Sequence, residues 1–196
     1  MSALKFKSLR LLWQQKKVTS VKTRMRTYNV LVLPVLLYNI ATWGVTDCVI
    51  NKLEVSHRRH LREVLGARRR EIKNVELYKR CDATPLCRQI MFARWSLFGH
   101  VLRLGRDTPA QLAMDYYGTL LDGEAEPRGR PDSTLPVLLL NEYKKYREAK
   151  RERGWSVKKS KTQILAELRE LAMKDSLGTN QKWREVVIGV CDSNGS

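Results

Sequence analysis

An amphipathic helix is predicted by the segment DCVINKLEVSHRRHLREVLG, residues 47–66. Its core-facing positions recur at intervals of three and four residues, the period that aligns one face of a helix. These positions are Ile50, Leu53, His57, Leu61 and Val64. Asp47 can cap the first turn, and Gly66 can adopt the left-handed conformation that ends many helices. The segment therefore predicts a helix that buries one side and leaves the other side to solvent.

The same helical signals continue in both directions from this segment, and strand signals are nearly absent. A basic amphipathic stretch comes first, followed by a long helix that Pro34 should kink, because proline has no N–H to donate to the preceding turn. The predicted helices span residues 2–17, 21–43, 47–65, 74–81, 85–104, 109–117, 137–153, 162–174 and 180–187. The predicted fold is all-α, with a helical bundle, a linker and a small helical C-terminal extension.

The domain organisation is predicted from one change in composition. Residues 118–136 are rich in glycine and proline, which is typical of a linker. The sequence therefore predicts a basic N-terminal helix over 1–19, a helical domain over 20–117, a linker over 118–136 and a basic helical extension over 137–196. Within the helical domain, Gly99-His100 indicates a tight contact with another helix.

The composition favours a polyanionic partner. The chain carries 37 Lys and Arg against 20 Asp and Glu, a net charge of +17 over 196 residues, and nucleic acid is the commonest polyanion. Its hydrophobic content of 43% is too high for a disordered tail. The longest apolar stretch, residues 29–45, contains Pro34 and Asn39 and is shorter than the ~20 residues that cross a bilayer. No membrane partner is predicted.

The expected compartment is intracellular, either nuclear or cytoplasmic. Residues 1–28 contain no apolar run long enough for a secretory signal. Their basic, acid-free composition also fits a mitochondrial presequence, and that alternative stays open. The four cysteines are sparse and irregularly spaced, as in proteins that keep their thiols reduced.

The basic residues are clustered. Seven of them lie within residues 58–73, at the end of the 47–65 helix and in the turn after it: Arg58, Arg59, Arg62, Arg68, Arg69, Arg70 and Lys73. Cations at that place also complement the helix dipole, and a solvated face is the plain alternative. A second cluster over 144–161 and a third at the N-terminus favour a phosphate-binding surface. Lys22 and Arg26 are candidates for the surface formed by the arginines.

A separate motif is the segment PRGRP, residues 127–131. Arg128 and Arg130, extended between prolines, resemble the core of an AT-hook, whose guanidinium groups lie in a narrow A·T minor groove. The alternative is a stiff linker with a turn, and the acidic residues on both sides favour it. The AT-hook hypothesis makes the chain a small chromatin-type DNA-binding protein.

The sequence contains no recognisable catalytic constellation. Its aspartates are scattered, and it has neither a glycine-rich phosphate loop nor a nucleophile elbow, so a non-enzymatic protein without a cofactor is predicted. His57 and His60 with Cys81 and Cys87 lack the usual zinc spacing, and His57 is predicted to be a core histidine. Trp155 is the candidate for stacking on bases, and the other four tryptophans are predicted core residues.

The order of several short motifs resembles the region after the palm of non-LTR (LINE-type) retrotransposon reverse transcriptases. The motifs are KTRMRTY at 22–28, VLPVLLY at 32–38, Thr42-Trp43, LREVLG at 61–66, Asn74 with Leu77-Tyr78, Arg94-Trp95, FGHVLR at 98–103, Gly129-Arg130-Pro131, Ala172, Asp175 and KWR at 182–184. They cover nearly the whole chain. The resemblance implies a helical thumb over about residues 20–105 that grips the template–primer duplex.

The resemblance also implies that the fingers, the palm and the metal-binding aspartates of the palm lie outside this sequence. On this hypothesis the chain is a non-catalytic C-terminal fragment of an RNA-directed DNA polymerase, and it binds an RNA–DNA hybrid or duplex DNA through the phosphates. A third hypothesis is a protein-interaction module, in which the apolar segment 30–37 docks on a separate palm domain.

Overall fold

The structure, a computed structural model, describes residues 2–15, 17–42, 44, 46–68, 71–123, 135–150, 160–173 and 180–194. The described residues form helices and turns and contain no strand, which confirms the all-α prediction. The helices are α1 (Ser2–Ser8), α2 (Arg10–Gln14), α3 (Val21–Leu31), α4 (Leu33–Leu36), α5 (Asp47–Leu65), α6 (Asn74–Cys81), α7 (Leu86–Leu102), α8 (Pro109–Gly123), α9 (Leu135–Lys150), α10 (Lys161–Ala172) and α11 (Gln181–Asn194). Within this described part of the chain, no helix is both long and apolar enough to span a bilayer.

The helices form two compact units. The N-terminal unit comprises Met1–Ile40 and Thr46–Ile90, and the C-terminal unit comprises Ala41–Val45 and Met91–Ser196. The division falls inside α7, so that helix belongs to both units.

Helix α5 has the bounds that the sequence predicts. Its buried face includes His57, Leu61 and Val64, and Gly66 ends the helix with a left-handed φ of 83°. The N-cap is Thr46 and not Asp47, because Asp47 already has helical geometry and forms the first helical residue.

The predicted single helix over 21–43 is wrong, because the chain divides there into three short pieces. Helix α3 ends at Leu31, α4 follows as Leu33–Leu36, and a 3-10 turn covers Ile40–Thr42. Pro34 lies in the first turn of α4, where its missing N–H has no acceptor to lose. Pro34 therefore interrupts the helix at the predicted place. The interruption is a break before the proline and not the predicted kink within one helix.

Aromatic side chains from α1, α2 and α3 form much of the N-terminal core. Phe6 stacks on Trp13, and the Trp13 indole Nε1 donates to the Phe6 carbonyl over 2.9 Å. Phe6 also stacks on His60 of α5, with 4.0 Å between the ring centroids. The buried hydrophobic residues of this core are Phe6, Trp13, Met25, Tyr28, Val32, Leu61, Val64, Leu77 and Cys81.

The C-terminal unit has its own core, in which Trp95 and Phe98 of α7 pack on Trp183 of α11. Glu142 of α9 accepts from Arg94 Nη1 over 2.5 Å and from the Trp95 indole over 2.7 Å. This half-buried carboxylate is satisfied by its two donors, and it fixes α9 against α7.

Gly99 confirms the predicted tight helix contact. A Cβ atom at this position would overlap the indole ring of Trp183, so α7 and α11 pack closely only because glycine has no side chain. His100, the other residue of that prediction, is exposed.

The later helices differ from the prediction mainly at their ends. Helix α8 continues to Gly123, beyond the predicted end at 117, and α11 continues to Asn194, beyond 187. The rest of the predicted linker up to residue 134 lies outside the described residues. The four-part domain division stays a prediction.

Candidate nucleic-acid interface

A cleft of about 900 Å³ lies on the N-terminal unit, beside the C-terminal half of α5. Four arginines line it, and Glu63 is the one acidic residue among the described residues of the lining. The described residues of the lining are Trp13, Gln14, Val55, Arg58, Arg59, Arg62, Glu63, Gly66, Ala67, Arg68 and Asn74. Three separate segments of the sequence therefore meet at one strongly cationic depression.

The cleft wall on α5 follows from helical periodicity. Val55, Arg58, Arg59, Arg62 and Glu63 recur at three- and four-residue intervals, on the side opposite the buried core-facing row. Helix α5 ends at Leu65, and the residues that follow it also line the cleft. There the N–H groups of Gly66 and Ala67 donate to the Arg62 carbonyl over 2.8 and 2.9 Å.

Arg62 is held in place by three oxygen acceptors. Its guanidinium donates to Asn74 Oδ1 over 2.8 Å, and longer contacts of 3.5 and 3.4 Å join it to the carbonyls of Ile72 and Arg58. These bonds connect the last turn of α5 with the start of α6 and span the turn that carries Arg68. Arg62 thus fixes the shape of the cleft as well as contributing charge.

Arg58 and Arg68 each face a carboxylate of the same segment. Arg58 lies 4.0 Å from the buried carboxylate of Glu54, which also accepts from the Cys87 backbone N–H over 2.9 Å. Arg68 lies 3.9 Å from Glu71, and this pair is largely exposed. Exposed pairs contribute little free energy, so Arg68 can exchange Glu71 for another anion.

Arg59 is the most available cation of the cleft. Its side chain is exposed, and it has no carboxylate within ion-pair distance among the described residues. A guanidinium in this state keeps its hydrogen-bond donors for a ligand with oxygen acceptors.

The net charge is divided unequally between the two units. The N-terminal unit carries 19 Lys and Arg and 6 Asp and Glu, which is 19 − 6 = +13. The C-terminal unit carries 18 and 14, which is 18 − 14 = +4. Most of the excess charge therefore belongs to the unit that contains the arginine cleft.

The structure brings together part of the predicted site. Arg58, Arg59, Arg62 and Arg68 line one cleft. Lys22 and Arg26 are exposed on α3, one helical turn apart, and neither belongs to the described lining. The predictions for Arg69, Arg70, Arg128 and Arg130 fall outside the described residues.

Sequence patterns did not predict the other walls of the cleft. Gln14 and Asn74 lie 44 and 16 residues from Arg58, and no local periodicity connects them with it. Trp13 lines the cleft but is almost fully buried, as are Trp95 and Trp183, so the core prediction is confirmed for these three. The predictions for Trp43 and Trp155 lie outside the described residues.

The second basic cluster contains one residue with a packing role. Arg147 of α9 lies 3.4 Å from the Glu167 carboxylate and covers the ring of Tyr143. Its charge is therefore neutralised within the C-terminal unit. Much of the remaining cluster, over 151–159, lies outside the described residues.

His57 is buried, as predicted, and lies behind the arginines. Its Nδ1 is 2.8 Å from the hydroxyl of Tyr28, and burial lowers the pKa of His57 to about 4. Burial also lowers the pKa of His60 to about 4. Among the described residues no group of three or more His, Cys, Asp and Glu is placed to hold a metal ion. Both histidines stabilise the core as neutral groups that support the arginine-bearing face.

Comparison with known proteins adds nothing to this description. No protein-family model, curated protein or solved structure matches the chain. The cleft and the charge around it are therefore the observations from which a function can be inferred.

Proposed function

We propose that this chain binds nucleic acid through phosphate contacts in the arginine cleft. The observation that carries the proposal is the convergence of Arg58, Arg59, Arg62 and Arg68 on one depression of a unit with a net charge of +13. Guanidinium groups match the geometry of phosphate oxygens, and clustered cations release condensed counterions when they bind a nucleic acid.

The binding is expected to depend little on base sequence. The cleft offers guanidinium donors, while the backbone N–H groups of Gly66, Ala67 and Arg68 are already hydrogen-bonded within the protein. Its described lining contains a single aromatic residue, Trp13, which is too buried to stack on a base. Phosphate contacts position a protein on nucleic acid but carry no direct sequence information.

The proposed role is that of a non-catalytic thumb region of a non-LTR retrotransposon reverse transcriptase. Two observations support this role: the motif order in the sequence, and a helical unit that presents basic residues on one side of α5. A thumb holds the template–primer duplex while a separate palm performs the chemistry. An RNA–DNA hybrid or duplex DNA is therefore the proposed ligand.

Fluorescence anisotropy with the full chain tests this proposal. The labelled ligands are an RNA–DNA hybrid, a DNA duplex and the separate single strands, and the variant is Arg59→Gln. We expect the duplexes to bind more tightly than the single strands, and Arg59→Gln to weaken duplex binding several-fold. The matched control is Lys79→Gln, which removes one charge from α6 at an exposed position outside the described lining of the cleft.

Two results would contradict the proposal. Equal losses of affinity in Arg59→Gln and Lys79→Gln would indicate that only the overall charge matters. A preference for A·T-rich DNA that disappears in Arg128→Ala/Arg130→Ala would instead support the AT-hook hypothesis.

A second candidate function is docking on another protein domain, and exposed apolar side chains favour it. Val30 is 63% exposed and Tyr38 is 77% exposed, with Leu31 and Val35 between them also exposed. Val30, Leu31 and Val35 belong to the segment 30–37 for which an interaction with a palm domain is predicted, and Tyr38 follows it directly. Contiguous exposed apolar residues mark interaction surfaces, so this hypothesis predicts concentration-dependent self-association in light scattering. A monomer at all concentrations would count against it.

A further inference from the structure

The first part of the chain is unusual in containing only one sign of charge. Residues 1–46 include eight Lys and Arg and no Asp or Glu. The cations of α1 to α3 therefore have no carboxylate partner within their own segment. Apart from the buried Arg24, the described ones are exposed, so they add positive charge to the surface of the N-terminal unit.

Part of this surface leads directly to the arginine cleft. Gln14 of α2 lines the cleft, and Arg10 precedes it by four residues on the same helix, so their side chains are neighbours about 5–6 Å apart at Cβ. Lys7 of α1 precedes Arg10 by three residues. All three side chains are exposed.

The two short helices keep this row in a fixed position. Only Leu9 separates α1 from α2, and the backbone N–H of Trp13 donates to the Leu9 carbonyl over 3.3 Å. Phe6 of α1 and Trp13 of α2 anchor both helices in the core, with the Trp13 indole bonded to the Phe6 carbonyl. The row is therefore attached to the same core as α5.

We propose that the nucleic-acid footprint extends out of the cleft along the row Lys7, Arg10 and Gln14, so that the ligand is a duplex longer than the cleft itself. This inference rests on the proposed function and adds a second contact region to it. Gln14 supplies an uncharged hydrogen-bonding group at the edge of the cleft, and Arg10 and Lys7 supply the phosphate contacts beyond it.

The length of the row determines how long a duplex must be to contact the row as well as the cleft. The eight residues 7–14 rise about 1.5 Å each if helical, or about 12 Å in total, which corresponds to about three to four base pairs at about 3.4 Å per nucleotide. By the same rise the α5 wall of the cleft, residues 55–65, is about 16 Å long, or about five base pairs. A duplex of about six base pairs can therefore occupy the cleft alone, while one of about 18 base pairs is long enough to cover both regions.

Anisotropy titrations across a salt series, with hairpin-closed duplexes of these two lengths, test the inference. The variant is Arg10→Gln, which removes an exposed side chain with no hydrogen-bond partner among the described residues and should not disturb folding. For the long duplex we expect the slope of log K against log salt to become shallower by about 0.9, the value for one phosphate contact. For the short duplex we expect no change, and Lys79→Gln should leave both slopes unchanged.

The outcomes separate this inference from the proposed function. If Arg59→Gln weakens both duplexes and Arg10→Gln changes neither slope, the arginine cleft stands and the extended footprint is wrong. Equal changes for both lengths in Arg10→Gln would also overturn it, because they would show a general charge effect. If the unmodified protein binds neither duplex, the proposed function itself fails.

Discussion

The four arginines of the cleft have different tasks. Arg59 is exposed and pairs with no carboxylate in the described part of the chain, whereas Arg62 is bonded to Asn74 and to two backbone carbonyls. A sequence pattern cannot make this distinction, because both residues are arginines on the same side of one predicted helix. Binding and stability should therefore respond differently at the two positions.

Asn74→Ala tests the structural task of Arg62. The substitution removes the 2.8 Å acceptor and leaves a half-buried guanidinium with weaker partners, so we expect a loss of about 1 kcal/mol in the free energy of unfolding. Urea denaturation measures it, and Arg59→Gln is the control with unchanged stability. A stability of Asn74→Ala equal to that of the unmodified protein would show that Arg62 needs no partner in α6.

Gly99→Ala tests the contact between α7 and α11. The added methyl group would overlap the Trp183 indole, and overpacking a core typically destabilises by about 1–3 kcal/mol. We expect a lower thermal midpoint than in Ser96→Ala, which changes an exposed residue of the same helix. Equal midpoints would mean that the two helices have room to separate.

At the scale of elements, α5 organises the N-terminal unit. One face carries the arginines, and the opposite face presents His57 and His60 to the aromatic rings of α1 and α3. The charged and titratable groups near this pair are Glu54, Arg58, Arg59, Tyr28 and Tyr78. Burial dominates, so both histidines are neutral in the folded protein at neutral pH.

The lowered pKa values predict that the protein is sensitive to acid. The pKa of each histidine is about 4 in the folded protein and about 6.5 when unfolded, so below pH 6.5 the unfolded chain binds protons more tightly. The protein therefore keeps its full free energy of unfolding above pH 6.5, and this free energy decreases as the pH falls towards 4. The loss reaches on the order of 3 kcal/mol for each histidine.

Urea denaturation at about pH 7 and about pH 5 measures this effect. His60→Phe, which keeps a ring against Phe6 but cannot take up a proton, should show a smaller loss of stability between the two pH values. An equal loss in the variant and in the unmodified protein would contradict the role given to His60.

An element could be predicted from the sequence where the residues that define its start, its buried face and its end lie close together in the chain. Helix α5 was predictable because its apolar period, its start and Gly66 all lie within one segment. The division of segment 21–43 into separate helices was not predictable, because its apolar residues continue through the points where the helices end. Only Pro34 indicates an interruption. The cleft combines α2, α5 and the start of α6, and contacts between distant segments leave no period in a sequence.

For the whole molecule, the distribution of charge is the main finding. Composition alone gives +17 and a polyanionic partner, but it does not say where the charge lies. The structure assigns +13 to the unit with the arginine cleft and leaves the other unit nearly balanced, with Glu142 and Glu167 paired to arginines inside it. The N-terminal unit is therefore the one that we propose to contact phosphates.

Binding of the full chain to an RNA–DNA hybrid across a salt series tests this account most directly. If four arginines contact phosphates, log K should fall linearly with log salt, with a slope of about −0.9 for each contact and about −3.6 or steeper in total. The affinity for the hybrid should at least match that for duplex DNA and exceed that for single strands. A failure to bind any of these ligands at low salt would contradict the proposal that the arginine cleft is a nucleic-acid site.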